Sequence, residues 1–512
     1  MIEHRSIMAR RSSTKNRRPQ AAASPPAAAD PGRHSGMSLP YNLLSTEDID
    51  RLIDSACLLL RDTGCGFEPG TEAIDLMRSA GCRVGDDGVV RFDPELVKSS
   101  LESCAKSARL WNRAADAWLD LDADHTWFMP GMTCIKMFDP YTGELRNSTG
   151  RDLATIARVA DALPNMDGVC VPCKDVPRSD IHGEINEFAL LVRNTRKPLE
   201  YLCEHAESFN AAIEMAAAVR GSRANLADRP YFLQIVTPLP LGYWRTHIDQ
   251  IITGARAGVP ISVGTLPIGG ASSPITIAGC MVNSLATDFA GMVLGQLAQR
   301  GSFVIGSSDV TFMEPATGGI GNFTHATLAD ALVHSVRRRL GIPSFTGYSG
   351  QGAARRFNQD AVWEISASMM QAFFSRPATL DYLGSLDDGI SFSLHALCLC
   401  DELAGMLRTM WQGVPVTAET LALDVAQDVG ARGNYLAQTH TAQHCRDQQW
   451  RARYFGAHLP LSTSGKPDLD LFERIDADLQ QILATHEVTP LDESLGAELT
   501  RIQDRLRAHY HG

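Results

Sequence analysis

From Ser45 onward, apolar residues recur at helical spacing, at Ile49, Leu52, Ile53, Cys57 and Leu60, which predicts an amphipathic helix packed on one face. Ser45 stands three residues before Asp48, an acidic variant of the capping box, and Gly64 ends the run. A second helix is predicted over 71–80, stopping at Gly81. The stretch from Arg83 to Phe92 then alternates like a small hairpin with Asp87 and Gly88 at its turn, and Asp93 with Pro94 opens a third helix. Residues 37–125 therefore read as an N-terminal helical cap carrying a hairpin.

From Trp127 the period changes. Short apolar runs, 127–129, 168–173, 199–203, 231–237, 261–266, 303–307, 344–348 and 379–383, alternate with helical stretches such as 181–195, 209–219, 247–257 and 358–374. Strand and helix in strict alternation give a parallel sheet. Eight such units over residues 126–412 are the size of a TIM (β/α)8 barrel, and residues 413–512 read as a helical extension. A doubly wound sheet is the competing α/β architecture. It loses ground because no strand runs into a Gly-x-Gly-x-x-Gly turn.

The 512 residues carry 47 Lys and Arg against 59 Asp and Glu, a net charge of −12. That balance argues against nucleic acid or an anionic membrane as the main partner. Residues 1–36 depart from it, with seven basic residues against two acidic ones and an Ala/Pro-rich run. Such a segment buries too little apolar surface to offset its ordering entropy, so it is expected to be a disordered tail. The most membrane-like stretch, 275–298, is interrupted by Asn283, Asp288 and Gln296 and reads as a buried helix. Twelve scattered cysteines fit a reducing compartment, and a cytoplasmic location is expected.

In a barrel the chemistry sits where strands end, so the loops after the predicted strands matter most. After the fifth comes Leu266-Pro-Ile-Gly-Gly-Ala-Ser-Ser-Pro-Ile-Thr-Ile-Ala-Gly279, with Ser273 placed to cap a helix whose N-terminus faces the barrel mouth. After the seventh comes Gly347-Tyr-Ser-Gly-Gln-Gly-Ala-Ala-Arg-Arg356, and after the eighth Gly384-Ser-Leu-Asp-Asp-Gly389. The segment from Pro267 to Gly279 resembles the signature of the trimethylamine methyltransferase superfamily. Phe138-Asp-Pro-Tyr-Thr-Gly-Glu-Leu-Arg-Asn-Ser-Thr149, Asp401 to Arg408 and Asn434 to Arg446 resemble further landmarks of that family, in family order. The likeness spans roughly residues 39–454, and the family's fold is a TIM barrel.

The resemblance implies transfer of a methyl group from an amine to the Co(I) of a cobalamin. The corrinoid is supplied by a separate small corrinoid-binding protein, with no cofactor held permanently by this chain. Relatives that use pyrrolysine place it near the position of Asp387. Here the chain reads through with Asp387 and Asp388, so it resembles the branch without pyrrolysine, which includes glycine betaine:corrinoid methyltransferases. A quaternary amine such as a betaine is then the expected substrate. Aromatic faces hold such a cation, at roughly 0.5–2 kcal/mol per ring. Trp127, Phe128, Tyr348 and Tyr382 are the candidates, with Arg355 and Arg356 to clamp a carboxylate. Asp387 and Glu364 are the candidate catalytic carboxyls, and Gly269, Gly270, Ser273, Gly347 and Gly350 are expected on loops facing the corrinoid. Large barrels commonly associate, so a homo-oligomer is expected.

Zinc is the main alternative chemistry. Cys170 and Cys173 lie three apart in a predicted strand, where they point to opposite faces, and His440 and His444 lack the Glu of a His-Glu-x-x-His motif. No metal is expected, and extended chelation should leave turnover intact. Two further functions share the fold: a lyase or isomerase of a phosphorylated substrate, and a non-catalytic binder of quaternary ammonium compounds.

Overall fold

Ser45 caps the first helix, Thr46–Asp62, by accepting the Asp48 amide at 3.1 Å, and its hydroxyl also meets the Asp48 carboxylate. Asp93 caps the helix Pro94–Ser103 with Pro94 in its first turn, and Gly88 takes a left-handed φ of +80° at the hairpin turn. Each of these local signals is where the sequence puts it. The computed structural model describes residues 43–321, 323–346, 348–446, 448–455 and 469–510, all within one unit, Gly32–Gly512. The basic tail and Gly347 lie outside the described residues.

The core is a succession of parallel strands joined by helices. Leu199–Leu202, Phe232–Val236, Ile261–Val263 and Val304–Gly306 pair in sequence order, and Phe345–Thr346, Thr379–Leu383 and Trp127–Pro130 form a second parallel group. The last predicted strand thus pairs with the first, as a cyclic order requires. The predicted second strand, 168–173, forms two isolated parallel bridges, Val169 to Leu199 and Cys134 to Cys173, and just before it the Asp167 amide donates to the Phe128 carbonyl of the first strand.

A closed barrel was expected. Among the described residues no backbone pair joins Val304–Gly306 to Phe345–Thr346, so the ladder is interrupted there. Arg337, on the helix Phe323–Arg339, spans the interruption: its buried guanidinium donates to the Ser308 carbonyl at 2.9 Å and to the Phe345 carbonyl at 3.1 Å. Asp288 accepts from the same group at 3.2 Å and from the Ser308 hydroxyl.

Asp288 belongs to the helix Ile277–Ala298, which is long and apolar enough to cross a membrane but is mostly buried against the cap helices and the strand Val304–Gly306. The expected cap for this helix was Ser273. Thr276 caps it instead, accepting the Gly279 amide at 3.3 Å, because the chain first completes the short strand Ile268–Gly269 and a turn in which the Gly270 amide donates to the Ser273 carbonyl. The C-terminal helices Leu471–Thr485 and Glu493–Tyr510 lie against helices on the outside of the strand core.

Candidate active site

Three small sheets rim the carboxyl ends of the strands. The hairpin Lys136–Phe138 with Leu145–Asn147 pairs with the hairpin Ser385–Leu386 with Ser391–Phe392. Ile268–Gly269 pairs with Thr311–Phe312, and Gly242–Tyr243 pairs with the cap strand Cys65–Phe67. Below this rim the strands turn polar side chains inward.

Glu200 and Asp381 are both buried on core strands, Glu200 completely. Neither oxygen of Glu200 meets a donor, and its hydrogen-bonding neighbour is the Asp381 carboxyl, a contact that exists only when one of the two holds a proton. Burial pushes the Glu200 carboxyl up to about 8, and burial together with Glu200 and Asp309 raises that of Asp381. Cys170 stands beside this pair, its thiol held protonated by burial and by both carboxyls. Among the described residues no three His, Cys, Asp or Glu side chains form a metal-binding group.

Two tyrosines stand near these carboxyls. Tyr348 is buried, with its hydroxyl 3.0 Å from that of Thr311, and Asp388 and Asp309 act on it electrostatically. Tyr382 feels Asp309, Asp381, Cys170 and Tyr348. Above them Asp387 and Asp388 turn the hairpin, both left-handed at φ +54° and +51°. Two consecutive non-glycine residues in that region store backbone strain, which the surrounding structure must hold in place. It does so through the Asp387 amide on the Ala354 carbonyl at 3.0 Å and the Glu364 carboxylate on the Ala354 amide at 2.8 Å.

Several expected site residues stand elsewhere. Trp127 and Phe128 open the first strand, at the end away from the rim, instead of following it. Trp127 donates to the Asp120 carbonyl at 2.8 Å and stacks on His125, while Phe128 is fully buried against Trp411 and under the Arg408 guanidinium. Arg355 and Arg356 line an outer cleft with Phe357, His395 and Phe472, and Arg355 meets Asp387 at 3.6 Å with its side chain 88% exposed. Asp387 is therefore tied to the surface, and Glu364 positions a loop. Asp388 is the carboxyl facing inward: one of its oxygens is buried without a partner, and burial, then Asp387 and Glu364, raise it to about 6. Gly269 and Gly350 are buried, and a side chain on Gly350 would strike Leu383, so they shape the loops from beneath; Gly270 and the residues after it reach the surface. Cys170 was weighed only as a zinc ligand, and Glu200 and Asp381 escaped the sequence reading. Their signal was an acidic residue inside the apolar runs Leu-Glu-Tyr-Leu and Thr-Leu-Asp-Tyr-Leu.

Parallel strands alternating with helices, with buried carboxyls and two tyrosines on and beside the core strands, define an α/β protein. The chain belongs to the trimethylamine methyltransferase family, whose profile, "Trimethylamine methyltransferase (MTTB)", matches residues 10–510. It is 28% identical to trimethylamine methyltransferase MttB of Desulfitobacterium hafniense (strain DSM 10664 / DCB-2) over 91% of this chain and 94% of that protein. It is 25% identical to the glycine betaine methyltransferase of Desulfitobacterium hafniense (strain Y51) over 91% of this chain and 97% of that protein. Among solved structures, the Methanosarcina barkeri monomethylamine methyltransferase matches at a TM-score of 0.48 and 12% identity, over 93% of this chain and 89% of that one.

Proposed function

We propose that this protein transfers a methyl group from a quaternary or tertiary ammonium compound to the Co(I) of a corrinoid carried by a separate protein. The observation that carries the reading is a group of side chains: Tyr348 under the influence of Asp388, and Tyr382 under that of Asp381, whose carboxyl meets Glu200, near the loops that leave the strands. A quaternary nitrogen offers no N–H, so aromatic faces and carboxylates are the groups suited to hold it. As the methyl carbon passes to the acceptor, the C–N electron pair stays on nitrogen and a neutral amine leaves, with no acid required. What these residues contribute is orientation of one methyl toward the open rim and exclusion of water around the cation.

The rim suits a protein-borne acceptor. Ile135, Leu239, Leu266, Ile275, Ile320 and Ile390, all on loops that leave the carboxyl ends of strands, are each more than 40% exposed. Apolar surface in that position supports docking of a partner over the recess. A phosphorylated substrate fits poorly, since a dianion would enter among carboxyls.

The test is methylation of cob(I)alamin followed by absorbance, with a panel of tertiary and quaternary ammonium compounds. Turnover with at least one is expected, and none with any would leave a binding protein. Tyr348→Ala and Tyr382→Ala should each weaken cation binding by about 1–2 kcal/mol with little change in melting temperature. Unchanged affinity in both would place the cation elsewhere.

A further inference from the structure

We propose that residues 413–446 form an arm that clasps a second copy of this chain, lying along the outer face of that copy's helix Gln359–Ser375 while the other arm does the same in return. The excursion begins where the helix Leu394–Gln412 ends and holds three short helices, Ala418–Leu421, Leu423–Val429 and Thr439–His444. None of its residues is buried. Among the described residues its side-chain hydrogen bonds, and the ion pair of His444 with Glu419, all close within the excursion. Val414, Val416, Leu421, Leu423, Tyr435 and Leu436 stand in solvent, Leu436 at 82% exposure. Helices of four to seven residues do not hold on their own in water, and a segment without a core needs a surface to fold against.

A second copy is the occupant these features select. Trp411, at the root of the arm, stacks on Phe373 and on Phe128, which lies near the start of the first strand, away from the rim. An acceptor docked on the rim sits at the opposite end of the strands from that root. The helix Gln359–Ser375, packed beside the root, turns an apolar face to solvent. Trp363, 68% exposed, and Phe374, also exposed, are eleven residues apart, which is three turns and one side of a helix, with Met370 half-buried between them. Each chain thus offers one arm and one face to receive an arm, so a two-fold pair closes. Charge points the same way. Residues 413–446 hold three acids and two arginines, and in a chain of net charge −12 a nearly neutral stretch is where two copies repel least. With 34 residues the arm also supplies the roughly 20–30 that one side of a stable interface uses.

The experiment is sedimentation velocity of the full chain at about 10 µM, where a pair with a dissociation constant below about 1 µM is mostly assembled. Wild type is expected at twice the chain mass of 55.6 kDa, or at a multiple of that pair. Leu421→Glu with Leu423→Glu and Leu436→Glu, and separately Trp363→Glu with Phe374→Glu, should each raise the dissociation constant at least about hundredfold, with far-UV circular dichroism unchanged. A benzophenone amino acid in place of Leu436, in isotope-labelled chain mixed with unlabelled chain, should cross-link to residues 359–375 of the unlabelled copy. Wild type sedimenting as a monomer overturns the proposal. So does an assembly that survives both sets of substitutions, and so do cross-links that stay within one chain or reach another surface of the second copy. The cross-link is read in an otherwise wild-type chain, so it decides the matter even if a substituted chain fails to fold.

Discussion

Arg337→Met is expected to destabilise the protein by about 3–5 kcal/mol, the range for removing one partner of a buried ion pair. The guanidinium replaces the missing backbone ladder between Val304–Gly306 and Phe345–Thr346, so its loss frees the Ser308 and Phe345 carbonyls and leaves Asp288 uncompensated. Burial already raises the Asp288 carboxyl to about 6 even with Arg337 beside it. Without the arginine Asp288 should take up a proton, and the double variant Arg337→Met with Asp288→Asn should recover part of the loss. Denaturant unfolding of the two variants against wild type measures both effects. A loss below about 1 kcal/mol in the single variant would mean that the strands hold together at this junction without it.

The effect should reach the site. The Ser308 carbonyl accepts a hydrogen bond from Arg337 and its hydroxyl accepts one from the Thr265 amide at 3.0 Å, which links the loops after two neighbouring strands. Thr311, three residues on, meets the Tyr348 hydroxyl. A cation-binding loss larger than that of Thr311→Val would show that the guanidinium sets the spacing of the loops as well as the stability of the fold.

Local chemistry was legible along the chain because it depends on neighbours in sequence. The cap at Ser45, the turn at Asp87 and Gly88 and the helices between strands all follow from spacing and side-chain type. What the sequence hid depends on which way a strand faces. Trp127 and Phe128 were expected at the site because they are aromatic and close to a strand, yet they are the strand's first residues and pack at its far end. Glu200 and Asp381 are single acids in separate apolar runs, and only the folded strand order brings them together. Asp288 read as an interruption of an apolar helix, and its meaning lies in an arginine 49 residues away. Asp387 was the candidate of the acidic turn, and the left-handed hairpin turns its neighbour Asp388 inward instead.

Affinity for a quaternary ammonium ion should rise with pH between roughly 5.5 and 8.5. Asp388, raised to about 6, and Glu200, raised to about 8, are protonated at the lower end and ionised at the upper end. A quaternary nitrogen does not titrate, so the change belongs to the protein. Each carboxyl that ionises adds a charge complementary to the cation, and by linkage a bound cation favours the ionised form, so binding releases protons. An increase of about tenfold per carboxyl corresponds to a shift of one pKa unit on binding. The stability of the unliganded protein has the opposite slope. A carboxyl raised in the folded state leaves the fold most stable below the unfolded pKa, and that stability is lost as pH rises toward the folded value. Melting temperature should therefore fall from pH 5 to pH 8 without ligand and fall less with saturating choline. Glu200→Gln should remove the upper part of both trends and keep the lower part, which belongs to Asp388. An affinity that is flat or falling over this range in wild type would mean that these carboxyls do not face the cation.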